Sequence, residues 1–519
     1  MNPSLRSLLL LAVTATPAVA QQPRLGTIDF PVTGLPAAQP AFVRGVLFLH
    51  SFEYASALRA FREAQAVDPA FVMAFWGEAM TWTHPVWNQQ DLDSARATLA
   101  RFGPTRAARL ARAATPRERA YFAAVEDLYG DGSKQRRDTL FSRAMLRMVD
   151  DYPADLEAKA FAALGLLGLN QGVRDYGSYM RAAVLAQQVY RANPDHPGGA
   201  HYIIHAFDDP IHAPLGLEAA RAYSHIAPDA AHAQHMTTHI FLALGMWDDV
   251  VSQNVIATDE ATHHGQWTPG HYTEWLHYAE LQQGRYRDAA QLFARVLGGV
   301  RTAGHRSYLA RMRAQHVVAT EDWASALWQT PIDLNGQPAA EAEEVFTRGL
   351  AAVRRGAGRE AAAQRAELAR LAEAAHILDA TDSLAYQKVA VMDLELRALL
   401  RRMDGATDAA LGLLGEATTL EDRLPRDFGP PEIVKPSHEL FGEVLMELNR
   451  PADAQREFSR ALDLAPGRAR SLIGLVRAAA AAGDRAVAES AFRLLQSNWH
   501  DADAGLPDLG TLRPLLATR

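Results

Sequence analysis

From Pro40 to about residue 500, apolar residues recur at intervals of three and four, with Ala, Leu, Arg and Glu between them and few alternating β-branched runs. That period predicts helix almost throughout and an all-α fold. Phe42 to Pro69 shows the pattern most clearly: Gly45 falls in a first helix, Ala57, Phe61 and Ala64 in a second, and Pro69 closes the unit. Small Ala residues let paired helices approach, Phe61 fills the gap between units, and proline stops the helix. Near the other end Gly442, Ala454, Phe458, Ala461 and Pro466 repeat those intervals without a shift. Two distant segments report one architecture.

The unit matches a helix–turn–helix repeat of the tetratricopeptide type, whose period is about 34 residues. The expected fold is a tetratricopeptide-repeat right-handed superhelical α-solenoid of roughly eight to eleven hairpins. Pro194, Pro228 and the Gly245-Met246-Trp247 and Gly284-Arg285-Tyr286 turns mark middle units, and the register is loose over 106–160 and 340–420. Interruptions are expected at Tyr129–Lys134, Asn170–Ser178, Thr330–Pro338 and Pro425–Pro436, the last holding four prolines in twelve residues. The expected division is a signal peptide (1–20), an extended segment (21–37), an N-terminal array with a histidine cluster (38–325), a helical middle (326–424), C-terminal repeats (425–500) and a tail (501–519).

The leader reading rests on Arg6, the apolar run Leu8 to Val13, and Ala18-Val19-Ala20 before Gln21. Cleavage near Ala20–Gln21 implies a periplasmic or secreted protein. No later stretch has the apolar length of a membrane span, so no membrane insertion is expected after cleavage. A net charge of −8 over 519 residues, with fewer Lys and Arg than Asp and Glu, offers no nucleic-acid footprint. The chain has no cysteine, which excludes disulfides, thiol catalysis and thiolate ligands and leaves His nitrogen and carboxylate oxygen for any transition metal.

The strings LHSFEYASALRAFREAQAVDPAF, AFWGEAM and THPVW within 49–87, HPGGAHYIIHAFDDP at 196–210 and LGLEAARAYSHIAPDAAHAQHMTTHIFLALGMWDDVVSQN at 215–254 resemble a family of exported bacterial tetratricopeptide-repeat proteins. KPSHELFGEVLMELNRPADA at 435–454 is similar to that family's closing repeats. The resemblance covers most of 40–500. It implies the fold, and histidine at the positions of His50, His84, His201, His205, His235 and His239; it brings no established activity. Met236-Thr237-Thr238 departs from the commoner Pro-Ser form but leaves both flanking imidazoles in place.

Histidine carries the candidate chemistry. Fourteen of the nineteen lie between His196 and His316, and three pairs stand 34 residues apart: His50 with His84, His201 with His235, and His205 with His239. His201/His205 and His235/His239 are also i, i+4, so each pair shares a helix face, expected to turn toward the concave groove. Adjacent helices lie about 8–10 Å apart, close enough for the two pairs to meet at one ion or hold two. Copper, zinc, iron and nickel all accept neutral imidazole. His50 and His84 would need superhelical curvature to reach the same ion. His271 and Glu274, i, i+3 on the following helix, could complete the shell, and His232 is a further candidate. Asp208 with Asp209, and Glu78, are candidate acceptors that orient imidazoles, with helix capping the plainer role for the aspartates. His196, His212, His225, His263, His264, His305, His316, His376 and His500 show no partner pattern. Paired H-x-x-x-H helices, each joined by a third histidine, also resemble the ligand pattern of coupled dicopper proteins that bind or activate oxygen.

H-E-x-x-H, G-x-S-x-G and P-loop motifs are absent, which speaks against zinc-peptidase, serine-hydrolase and nucleotide-driven functions. Trp76, Trp82 and Trp87 could wall a groove for a peptide or sugar, although aromatic residues at helical spacing are more often core. The leading expectation is an exported scaffold whose concave groove binds a peptide or protein segment, with a divalent transition metal on the paired histidines. The alternatives are a His-ligated metalloenzyme, an oxidoreductase or hydrolase using copper, zinc or iron, and metal storage or delivery.

Overall fold

The computed structural model describes residues 23–170, 174–263, 265, 267, 269–378, 383–426 and 428–517. The leader 1–20, His264 and the side chain of His376 lie outside the described residues. Among those residues the chain forms 25 α-helices and one pair of two-residue strands. Most helices pack on their chain neighbours, giving the expected all-α repeat solenoid. No described helix is long and apolar enough to cross a membrane.

The repeat contact is a ring wedged between two glycines. Phe61, fully buried on helix Tyr54–Val67, lies against Gly45 and Gly77, and a Cβ at either glycine would strike its ring. Phe458 does the same against Gly442 and Gly474. The glycine here provides close approach rather than backbone freedom.

Three features set the site's surroundings. First, the extended segment before Gln39 is a strap rather than a loose leader: Thr27 N donates to the Asp195 carbonyl at 2.9 Å, and Phe30 is buried against Phe42, Trp76 and Tyr121. Second, the first repeat returns to the middle of the array, helix Gln39–His50 packing against helix Pro197–Ala206. Third, the C-terminal repeats fold back on the middle units: Trp247 Nε1 donates to the Gly467 carbonyl at 3.0 Å, Trp499 Nε1 to the Gln282 carbonyl at 2.9 Å, and Arg468 bonds Tyr278 and Glu439.

As a result, helices Pro197–Ala206 and Ala231–Ala243 are buried at every residue, the signature of a helix covered on all sides. The histidines they carry, expected to face an open concave groove, lie inside the protein. Phe428 and Gly429, in the proline-rich stretch expected as a boundary, also cover this region. Phe428 lies 4.9 Å from the His239 ring and 6.1 Å from that of His271, and Gly429 sits against Trp275.

Candidate metal centre

Two groups of three imidazoles stand side by side. His201, His205 and His232 form one and His235, His239 and His271 the other, each offering one nitrogen within 4.8 Å of the other two. Helix Ala231–Ala243 serves both, because His232 points to the preceding hairpin while His235 and His239, one turn apart, meet His271 at the start of the next helix but one, His271–Gln282. His205 and His239 have ring centroids 5.9 Å apart across the two groups, and His232 and His235 6.4 Å.

Outer hydrogen bonds set the tautomers. His201 Nδ1 donates to the His50 carbonyl at 2.6 Å. His235 Nδ1 donates to Asn254 Oδ1 at 2.7 Å, and the Asn254 amide is held by its own bond to the Val250 carbonyl. His239 Nδ1 donates to Asp208 at 2.6 Å. With a proton on Nδ1, each neutral ring keeps its lone pair on Nε2. The Nε2 atoms of His201, His205 and His232 have no partner, although all three rings are at most 6 % exposed. His235 Nε2 and His239 Nε2 face each other at 3.2 Å. With the Asp208 carboxylate ionised, both Nε2 atoms carry lone pairs, which repel at that distance; two ligands about 2.0 Å from one tetrahedral ion stand about 3.3 Å apart, close to the separation seen.

Burial keeps these rings neutral and therefore competent as donors. It pushes His201 down to about 3 and His271 to about 4. His205, His232, His235 and His239 sit well below the ordinary value through burial first and repulsion from neighbouring imidazoles second. At the C-terminal end of helix Pro197–Ala206, buried Arg174 donates to the carbonyls of His205, Ala206 and Asp208, which secures the turn that carries Asp208. Asp209 instead holds the turn before the next helix, accepting from Ile211 N and from His212 N and Nδ1, and makes no cap bond to that helix.

Several expected participants lie elsewhere. His50 contributes its carbonyl, not its ring: Nε2 donates to Glu157 at 2.7 Å and Nδ1 accepts from Tyr202 at 2.9 Å. His196, which had shown no partner pattern, joins this buried trio at 3.0 Å from Glu157. Burial alone would raise the Glu157 carboxyl, but the two imidazoles outweigh it and hold it at about 2. Every ring nitrogen of that trio is engaged in a hydrogen bond, and its three groups also stand within 4.8 Å of one another, close enough to hold an ion. His84 falls beyond its helix, which ends at Met80, because Pro85 disfavours helix for the residue before it. It stacks on Tyr54 at 3.9 Å, away from both groups. Glu274 turns to Arg311 and Gln315 rather than to the imidazoles, and burial raises its carboxyl to about 7. Glu78 is fully buried among Arg62, Gln65 and Arg101 and orients no imidazole. Trp76 is core, Trp82 donates to Thr98 at 3.1 Å, and Trp87 alone of the three is exposed, 5.7 Å from His232. His316, also without an expected partner, is buried beside His277 at 5.6 Å.

No protein-family profile and no curated protein sequence matches the chain. Among solved structures it is similar to the human IFIT1 dimer with m7Gppp-AAAA, at 12% identity and a TM-score of 0.36 over 92% of each chain. It is also similar to Cut9-Hcn1 of the APC/C hetero-tetramer, at 11% identity and a TM-score of 0.30 over 93% of this chain and 97% of that one. A third likeness is to the P58(IPK) TPR domain, at 15% identity and a TM-score of 0.21 over 70% and 98%. None of these carries an argument about ligand or partner.

Proposed function

We propose that the chain is a dinuclear transition-metal protein, with one ion on His201, His205 and His232 and a second on His235, His239 and His271. The observation that supports it best is the 3.2 Å approach of two Nε2 lone pairs whose protons are drawn to Nδ1 by Asn254 and Asp208. Copper fits this donor set best. Both groups are all-imidazole, and two divalent ions would place four positive charges in the interior with Asp208, among the described residues, the carboxylate bonded to a ligand imidazole. Two copper(I) ions halve that charge, and copper accepts neutral imidazole nitrogens. A copper pair supplies electron transfer and oxygen chemistry, so the functional class is an oxidoreductase or oxygen-binding protein. The solenoid then serves as the frame, and the export expected from residues 1–20 places the protein where copper would be met outside the cytoplasm.

Element analysis of protein purified without a histidine tag, after copper(I) loading under anaerobic conditions, tests this reading. Two coppers per chain are expected, one in His201→Ala and one in His239→Ala. A folded protein that takes up no copper, zinc, iron or nickel would overturn it.

The scaffold reading, in which the array binds a peptide or protein segment, keeps the support of the repeat architecture. The face bearing His239 and Trp275 is not open to a partner, because Phe428 and Gly429 of the same chain cover it.

A further inference from the structure

Away from the two imidazole groups, a cleft of about 510 Å³ opens among helices Ala303–Thr320, Pro338–Arg354 and Ser383–Met403, within the range of small-molecule sites. Its charged lining residues form two pairs. Arg311 Nη1 donates to Glu343 Oε2 at 2.8 Å and Nη2 to the Pro431 carbonyl at 2.8 Å, which fixes the guanidinium. Lys388 Nζ meets Glu432 Oε2 at 2.7 Å. Tyr308, Val389 and Met392 line the same space and give it an apolar side.

Neither pair is saturated. Glu343 Oε1 is buried with no hydrogen-bond partner, and burial raises the carboxyl in spite of Arg311. A donor brought by a ligand would satisfy that oxygen and hold the ionised form. An ammonium has three donors, and Lys388 gives one of them to Glu432. The cleft thus offers an acceptor on one helix and donors on another.

Its charges also balance. Two cations and two carboxylates line it, and Glu274 stands behind Arg311 at 3.5 Å with its carboxyl raised to about 7, close to half neutral at pH 7. A ligand of net charge would leave one ion without a counter-ion in a largely desolvated place, whereas a ligand with a cation and an anion of its own adds no net charge. The apolar side favours an apolar body on that ligand.

We infer that this cleft binds a free α-amino acid with an apolar side chain, its ammonium on Glu343 Oε1, its carboxylate on Lys388 and its side chain against Tyr308, Val389 and Met392. This site does not rest on the two-ion reading.

L-Leucine, L-leucinamide, which lacks the carboxylate, and 4-methylpentanoate, which lacks the ammonium, are suitable probes, titrated by calorimetry into the full chain at pH 7. L-Leucine should bind at least tenfold more tightly than either analogue, and more tightly than L-glutamate, whose side chain brings a further charge. Lys388→Gln, at a partly exposed position, should weaken L-leucine tenfold or more and leave L-leucinamide unchanged. Glu343→Gln should weaken L-leucine to the same degree and leave 4-methylpentanoate unchanged, with circular dichroism showing that both variants are folded. L-Leucine binding no tighter than its singly charged analogues, or unchanged affinity in folded Lys388→Gln, overturns the inference. A full chain that binds none of the probes overturns it as well.

Discussion

Asp208 accepts the Nδ1 proton of His239 at 2.6 Å, and its other carboxylate oxygen is buried with no partner. The same carboxylate lies 4.0 Å from His205 Nδ1, so one acid stands behind a ligand of each group. Burial raises its carboxyl well above the usual range, so the ionised form, the one that accepts from His239, is the form that two cations in front of it would hold. Asp208→Asn keeps the shape but loses the charge. Copper affinity, read by competition with a chelator, should fall about 10- to 100-fold, while the thermal midpoint of the metal-free protein should not drop. Unchanged affinity would show that the acid has no share in holding metal.

The orphaned Nε2 atoms imply a trade between stability and binding. Leaving a buried polar atom unpaired costs about 1–3 kcal/mol, and His205 Nε2 is such an atom at 3 % exposure. His205→Leu should raise the midpoint of the metal-free protein and reduce the copper count from two to one. A lowered midpoint together with an unchanged count would contradict both halves of this expectation.

Acid stability can be examined away from the ligands, at His316. Burial lowers its ring to about 4 in the fold, against an ordinary value of 6.5. Below pH 6.5 the unfolded chain takes up a proton that the folded chain refuses, so stability falls as the pH drops and the loss levels off near pH 4. The slope from this one group is about 1.4 kcal/mol per pH unit. His277 beside it, its ring held well below the ordinary value by burial first and the neighbouring His316 second, acts in the same direction. Denaturant titrations of metal-free protein at pH 7, 6 and 5 should show a smaller drop in His316→Gln than in the unmodified chain.

Phe61 and Gly77 make the repeat contact testable as a pair. Phe61→Ala should cost about 3–5 kcal/mol by leaving a cavity, and Gly77→Ala about 1–3 kcal/mol by overpacking against the ring. In the double variant the added methyl enters the vacated space, so the combined loss should be smaller than the sum. Urea unfolding of the four chains measures the coupling, and strict additivity would place the two residues out of contact.

Phe428 tests whether the proline-rich stretch shields the centre. Its ring covers His239 at 4.9 Å and lies 6.3 Å from Trp275. Phe428→Ala should accelerate copper removal by a chelator without altering the copper count at equilibrium. Removal at the unmodified rate would assign the shielding to other residues.

The local signals carried far. Period-three-and-four patterning, the Gly45–Phe61 interval and its repeat at Gly442–Phe458 specify hairpins through contacts between neighbours in the chain, which a sequence displays directly. The i, i+4 spacing of His201/His205 and His235/His239 likewise made two chelating pairs legible, because helix geometry alone puts them on one face. Their third partners were harder. His271 comes from the next helix but one, and Glu274 three residues on faces Arg311 instead.

What the sequence could not determine came from chain segments far apart meeting. His232 belongs with His201 and His205 rather than with its own helix neighbours, the His50 carbonyl serves where its ring had been expected, and Asn254 and Phe428 enter with no local mark. His84 lost its equivalence to His50 when the helix stopped at Met80. By itself the sequence determined an all-α repeat and two histidine pairs, since hydrogen bonding and side-chain period act over a few residues. Only the return of the first and last repeats onto the middle ones decided that those pairs are buried, which acceptor holds each Nδ1, and where two Nε2 lone pairs must confront each other, because burial and orientation depend on every segment that packs around them.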